Sequence, residues 1–315
     1  MSRADAAHPQ TFKAAAAAAL EDPTAGCECD FCLWRDYTAA DGFGRVENEH
    51  AVTASNLFKI TGHHGLVLFK HHAPLEFTAP QLGGLLSAAQ GWVHAAHAAT
   101  PAAAHPLLLW NALPRSGASQ FHGHAQVVMS EAGPLPDVAR RDAAAASYSA
   151  AHPARAGRYA ADLAAGHAAL GLHRALGLDG ELAVCYASVA PLKDCEVTVH
   201  GASAASPAFV LLLHLALRTL LDRCGVVSFN AAVEGLSLAP ADSAPASACA
   251  DADALCAAPG GVTARLLSRG KAASKASDFG ALEVFGGASI GHTSPWTLMA
   301  ALDDEAAARG VAWTS

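Results

Sequence analysis

Hydrophobic positions along this chain change period several times, and each change marks an element. From Arg45 to Phe77 the chain reads RVENEHAVTASNLFKITGHHGLVLFKHHAPLEF, where two β-type runs, Ala51 to Ile60 and Gly65 to Lys70, flank the turn signal TGHHG. This predicts an antiparallel pair. Ala79 to Ala99 shows helical spacing through Leu82, Leu85, Leu86 and Trp92, starts near Pro80 and stops before Pro101. The strand LLLWNAL follows, then a Gly/Ser turn, then a strand through His124. Residues 139 to 176 are Ala-rich and helical with a break at Pro153. ELAVCYASVA and VTVHG read as strands, Pro207 to Cys224 as a long helix, VVSFNAAVEG, VTARLLSR and GALEVFGGASI as strands, and Thr297 to Arg309 as a closing helix.

The elements form an α+β protein, antiparallel sheets flanked by helices, with two strand-helix halves split near residues 150 to 200. Residues 1–26 are expected to be a flexible arm, 27–150 the first half and 151–315 the second. The segment LAPADSAPASACADADALCAAPGG, Leu238 to Gly261, is of low complexity and is expected to be a disordered insertion (238–261).

The 315 residues suffice for one large core or two smaller ones, and a net charge of -8 argues against a nucleic-acid backbone as partner. Ala208 to Leu221 is too short to cross a bilayer and is interrupted by His214 and Arg218, so no membrane partner is expected. The N-terminus lacks a compact apolar stretch ending at a cleavage site, and its acidic residues weigh against a transit peptide; the expectation is cytoplasmic, with a short plastid leader as the alternative. Eight cysteines, three of them in CECDFC, suit a reduced protein with a metal clip better than a disulfide framework.

Chemistry concentrates in SGASQFHGHAQVVM, Ser116 to Met129. In a strand, side chains at i, i+2 and i+4 share a face, so His122, His124 and Gln126 project together while Phe121, Ala125 and Val127 face the other way. The preceding Gly/Ser turn offers backbone N–H groups to an anion. Imidazole, largely unprotonated at neutral pH, is a competent nucleophile toward phosphorus and would form a phospho-histidine. The alternative is a set of strand histidines satisfied by their neighbours, or a chance metal pair. Cys29 and Cys32 stand at the spacing that lets two thiolates chelate one tetrahedral zinc; free thiols near the chain start are the alternative.

NALPRSGASQFHGHAQ resembles the active-site strand of the histidine triad superfamily, in the branch holding galactose-1-phosphate uridylyltransferase and diadenosine tetraphosphate phosphorylase (ATP adenylyltransferase). SNLFKITGHHGLVLFKHHAPLEFT is similar to the phosphorylase's upstream pattern, and SFNAAVEG, RLLSRGK and FGALEVFGGASIGH are loosely similar to its C-terminal one, so the resemblance spans about Val46 to Gly291. It implies that His124 is the nucleophile, that His122 orients the site, and that Gln126 hydrogen-bonds a phosphate oxygen. Asn111, Ser116, Gly117, Ser119 and Gln120 would contact phosphates. Lys59, with Lys70 and His64, would line the anion site, solvated charges at strand ends being the alternative. The hydrolase branch has histidine at the third position; an amide there fits transfer to phosphate or a sugar phosphate better than hydrolysis. Gly123 departs from the phosphorylases, which usually carry lysine.

The uridylyltransferases complete the cysteine site with two histidines, which implies His72 and His122 here, with His71 competing for the first place and Cys27 as a substitute ligand. Such zinc is structural, and no organic cofactor is expected. Arg265, Arg269, Lys271 and Lys275 form the most basic stretch, either a nucleotide phosphate contact or an exposed loop. The expected reaction is diadenosine tetraphosphate plus phosphate giving ATP and ADP. The alternatives are a nucleoside-diphosphate-sugar phosphorylase or hexose-1-phosphate uridylyltransferase-like enzyme and, in another class, a non-catalytic nucleotide-binding module. The small-molecule nucleotide and its phosphate or sugar-phosphate acceptor are the expected partners, and the resemblance suggests a homodimer.

Overall fold

The structure, a computed structural model, describes residues 29–239, 251–257, 261–270 and 278–314. The expected arm 1–26, and Cys27 with it, lie outside the described residues. After a helical turn α1 (Trp34–Tyr37) come β1 (Ala51–Ser55), β2 (His63–Phe69), helix α2 (Ala79–Ala99), β3 (His105–Asn111) and β4 (His124–Ser130). Two helices, α3 (Pro136–Ala151) and α4 (Tyr159–Ala169), lead to β5 (His173–Leu178), β6 (Glu181–Ala187), β7 (Val197–Gly201), helix α5 (Pro207–Arg218) and β8 (Phe229–Glu234). Helix α6 (Ala252–Ala257), β9 (Val262–Ser268) and α7 (Pro295–Ala308) follow.

The strands make one antiparallel sheet in the order β1-β2-β4-β3-β8-β9-β7-β6-β5. Its two halves repeat one plan. In the first, two hairpin strands, a helix and two more strands pair as β1-β2-β4-β3; in the second, β6-β7-β9-β8 repeats that order with α5 in the place of α2. The halves meet where β3 pairs with β8, Asn111 opposite Asn230, so the two expected sheets are fused edge to edge.

Because directly paired residues share a face, the register sorts the sheet into two surfaces. The back carries Val67, Ala125, Val127, Leu108, Trp110, Phe229, Leu266 and Val199, all buried in one core beneath α2, α5 and α7. The front carries His124, Gln126, Asn111, Asn230, Arg265, Thr198 and Tyr186 in an unbroken run across the strands. On that face β9, counterpart of β4, presents Thr263, Arg265 and Leu267, so the His-x-His pattern belongs to the first half. At the far edge α4 covers the front, His167 stacking on Tyr186 at 4.3 Å.

Local signals account for the helix ends. Thr78 and Gln81 form a reciprocal capping box with Pro80 in the first turn of α2, and Ser206 caps α5 ahead of Pro207. None of the described helices is long and apolar enough to cross a membrane.

Several expectations are corrected. The strand expected in GALEVFGGASI is a helical turn, Leu282–Gly286; its apolar residues are exposed, so no sheet neighbour stabilises an extended form. Helix ends at Ala169 and β5 begins at His173, pairing with β6 through the tight turn at Asp179 and Gly180, both at positive φ. The first strand, expected to run from Ala51 to Ile60, ends at Ser55, and the turn lies earlier than TGHHG, over residues 56–62, because His63 and His64 already pair with β4. Of 238–261, the part expected to be disordered, Ala252–Ala257 is helical and buries Leu255, packing α6 on α4, β6 and β7.

Gly65 illustrates how tightly α2 sits on β2: a Cβ there would lie 2.5 Å from Trp92 Cε2. Gly65→Ala should therefore cost about 1–3 kcal/mol, measured by denaturant unfolding, with no change in the slope of the transition.

Candidate active site

The front end of β4 is where the sequence's chemistry converges. His122 lies just before the strand, and His124 and Gln126 lie on it. The two paired strands fix their placement: Leu68 is opposite His124, and Leu66 and Leu109 are opposite Gln126.

Cys29, Cys32, His72 and His122 place their ligand atoms within 4.8 Å of one another. His72 Nδ1 is 3.3 Å from Cys32 Sγ, while His122 Nδ1 is 3.5 Å from Cys32 Sγ and 3.7 Å from Cys29 Sγ. The far nitrogen of His122, Nε2, donates to the Phe69 carbonyl at 2.7 Å. That bond leaves the Nδ1 lone pair aimed at the sulfurs, the second-sphere arrangement that a metal-ligating histidine needs. Burial pushes the His122 pKa down to about 4 against the opposing effect of the Phe69 carbonyl, so the ring is neutral and able to ligate. Two cysteine sulfurs and two imidazole nitrogens fit a tetrahedral metal ion. His71, the competing choice, packs on Phe69 at 4.9 Å instead, its Nε2 buried without a partner.

His124 is joined to this cluster through the backbone. Its Nδ1–H donates to the His122 carbonyl at 2.8 Å, which leaves Nε2 as the nitrogen with a lone pair. Burial lowers its pKa, the His122 carbonyl opposing, so the ring is neutral at physiological pH. It is 4% exposed, and Phe31, from the Cys29–Cys32 turn, sets its ring on edge 5.2 Å away. The Cys29–Cys32 turn thus also covers the imidazole, a role its spacing in the sequence does not reveal.

The Gly/Ser turn lies beside these residues. Gly117 is exposed with φ 100°, the left-handed region that favours glycine, and Ser119 is exposed. Gln120 is half-buried. The Ser116 hydroxyl is turned inward and donates to the Leu113 carbonyl at 2.8 Å. Asn111 Oδ1 accepts from Asn230 Nδ2 at 2.6 Å, and Arg269 donates to Asn230 Oδ1 at 2.8 Å. Asn230 was overlooked in the sequence because its strand signal was apolar; β3–β8 pairing brings it here.

Other expected residues are taken up by partners of their own. Lys59 faces Asp41 at 3.5 Å and Lys70 pairs with Glu47 at 2.8 Å. The basic stretch is not a free cation cluster: Arg265 pairs with Glu196 and Arg269 with Asp278, while Lys271 and Lys275 lie outside the described residues. The reason is proximity across the sheet, β9 running beside the β6–β7 loop that carries Glu196. His64, a turn residue in the sequence reading, is buried with Nε2 2.8 Å from Gln126 Oε1.

No protein-family model matches the chain, and no curated protein does. Solved structures do. An ADP-glucose phosphorylase from Arabidopsis thaliana with bound ADP-glucose superposes with a TM-score of 0.63 at 16% identity, covering 90% of this chain and 91% of that one. A galactose-1-phosphate uridylyltransferase-like protein from the same plant gives 0.63 at 16%, covering 93% and 95%. A structure of uridylyltransferase gives 0.61 at 13%, covering 82% and 85%. The chain shares the α+β fold of these proteins.

The ligand geometry has a direct check. Elemental analysis of the purified protein should find about one tetrahedral-site metal per chain, and Cys32→Ser or His72→Ala should lower that content and the melting temperature together.

Proposed function

We propose that the protein is a nucleotidyltransferase of the phosphorylase type that acts on the α-phosphate of a nucleoside diphosphate sugar. The observation that carries the reading is one bond at β4: His124 Nδ1–H is held by the His122 carbonyl, so Nε2 is the nucleophilic nitrogen, on a side chain that shares a face with Gln126. Overlap with an ADP-glucose phosphorylase along nine-tenths of both chains favours a nucleotide sugar over the dinucleoside polyphosphate expected first. Gly123 agrees. A Cβ there would lie 3.0 Å from Phe69 Cδ2 and 3.1 Å from Pro74 Cα, so a lysine at this position would have to press Phe69 and the Pro74 backbone back, and the polyphosphate contact is missing here.

In the first step His124 Nε2 forms a P–N bond to the α-phosphorus while the bond to the bridging oxygen breaks, and the sugar 1-phosphate leaves with that oxygen. The His122 carbonyl, already accepting from Nδ1–H, stabilises the positive charge that develops on the ring. In the second step an oxygen of inorganic phosphate attacks the same phosphorus, the P–N bond breaks, and the nucleoside diphosphate is released. Gln126 donates an amide N–H to a non-bridging oxygen. An amide delivers no proton, which suits a phosphate leaving group that departs as an anion. Cys29, Cys32, His72 and His122 would hold zinc, which would fix the start of β4 and keep a proton off Nδ1 of His122. Phe31 must give way for substrate to reach Nε2, since His124 is 4% exposed.

ADP-glucose labelled at the α-phosphorus should leave an acid-labile label on the protein that phosphate discharges as ADP. His124→Ala should lower labelling by roughly a thousandfold or more, and Gln126→Ala by roughly a hundredfold. Because burial lowers the His124 pKa, the ring stays neutral below pH 6.5, so the acid limb of labelling should lie below that value. Labelling by diadenosine tetraphosphate in preference to ADP-glucose would return the substrate to the polyphosphates; saturable binding with no label from either would make the protein a nucleotide-binding module.

A further inference from the structure

The geometry points to His64 as a positioning residue that selects which end of the Gln126 amide faces the transferring phosphoryl group. This inference rests on the proposed nucleotidyl transfer. His64 and Gln126 are diagonal neighbours on the front of the β2–β4 pair, His64 opposite Val128 and Leu66 opposite Gln126. His64 is 3% exposed. Its Nε2 is 2.8 Å from Gln126 Oε1, and the backbone N–H of Ile60 donates to its Nδ1 at 3.4 Å.

An N–H aimed at Nδ1 requires a bare lone pair there, so the neutral ring carries its proton on Nε2. The backbone N–H of Ile60, which cannot be turned over as an amide side chain can, assigns the tautomer. Asn56 Nδ2 lies 3.1 Å from the same Nε2, its NH2 turned there because Asn56 Oδ1 accepts from the Phe58 N–H at 3.0 Å; with the ring proton on Nε2 this approach is a contact between donors, and the Gln126 amide is the partner free to present an oxygen. An Nε2–H can meet only the oxygen of Gln126; the amide turned over would set its NH2 against that proton. With the oxygen held by His64, the NH2 is the end left for the substrate.

The two amide orientations are nearly identical in shape, so packing against Leu66 and Leu109 does not separate them. They are opposite in effect, one offering a phosphoryl oxygen a donor and the other a lone pair. The residue that fixes the choice comes from β2, and Ile60, which fixes its tautomer, comes from the β1–β2 connection.

The test uses the full-length protein, ADP-glucose labelled at the α-phosphorus, and single-turnover labelling of His124. His64→Phe, which keeps a ring but removes the donor, should slow labelling at saturating substrate about tenfold, less than removal of the Gln126 donor itself. The half-saturating concentration should change less than about threefold by the same argument, and His64→Gln, which restores an N–H, should recover most of the rate. In a Gln126→Ala background His64→Phe should add no further loss. Wild-type labelling by His64→Phe, or an equal loss with and without Gln126, would overturn the role. Nitrogen NMR of the ligand-free wild-type protein gives a readout independent of activity and of variant folding: a proton on His64 Nε2 is expected, and a proton on Nδ1 instead would overturn the inference. If the wild-type protein takes no label while His64 carries its proton on Nε2, the proposed reaction fails and the amide-orienting contact stands.

Discussion

The site hangs on how His122 is used. Its Nδ1 faces the two cysteine sulfurs, its Nε2–H is bound to the Phe69 carbonyl, and its own carbonyl accepts from His124 Nδ1. A single residue thereby ties the Cys29–Cys32 turn to the end of β2 and sets the tautomer of the neighbouring imidazole. Remove the ring and the first two ties are lost; shift the backbone and the third is lost. The choice of nitrogen at His124 is therefore a property of its neighbour, as the proton on any neutral imidazole follows the acceptor it finds.

The sheet supplies what this arrangement needs. Its back is sealed by a core running under both halves, so the front can carry polar groups in a row without costing the fold its apolar burial. Fusion through β3 and β8 then sets Asn230 beside Asn111 and brings Arg269 to the Gly/Ser turn. The duplication is one of architecture; the imidazoles on β4 have no counterpart on the front of β9.

Much of this was legible along the chain. The alternation at His122, His124 and Gln126, the two-residue cysteine spacing, the start of α2 near Pro80 and that of α5 at Pro207 are all local patterns, and local patterns report on strand faces, chelate spacing and helix starts. The resemblance to the uridylyltransferases pointed to His72 and His122 as partners of Cys29 and Cys32, and the chain brings these four together. What local pattern misjudged was length and company: GALEVFGGASI has the apolar content of a strand without a partner edge, and the basic stretch looked free because Glu196 and Asp278 are distant or unremarkable in sequence.

The sequence by itself determined which residue types lie two apart on β4 and which thiols can grip one ion, because both depend on covalent spacing and a strand's period of two. Only the tertiary structure decided that His72 rather than His71 completes the cluster, that Phe31 covers His124, and that His64 holds Gln126. Those outcomes depend on contacts made across the sheet by residues tens of positions apart, where direction and distance are set by packing and by hydrogen bonds that no stretch of chain contains alone.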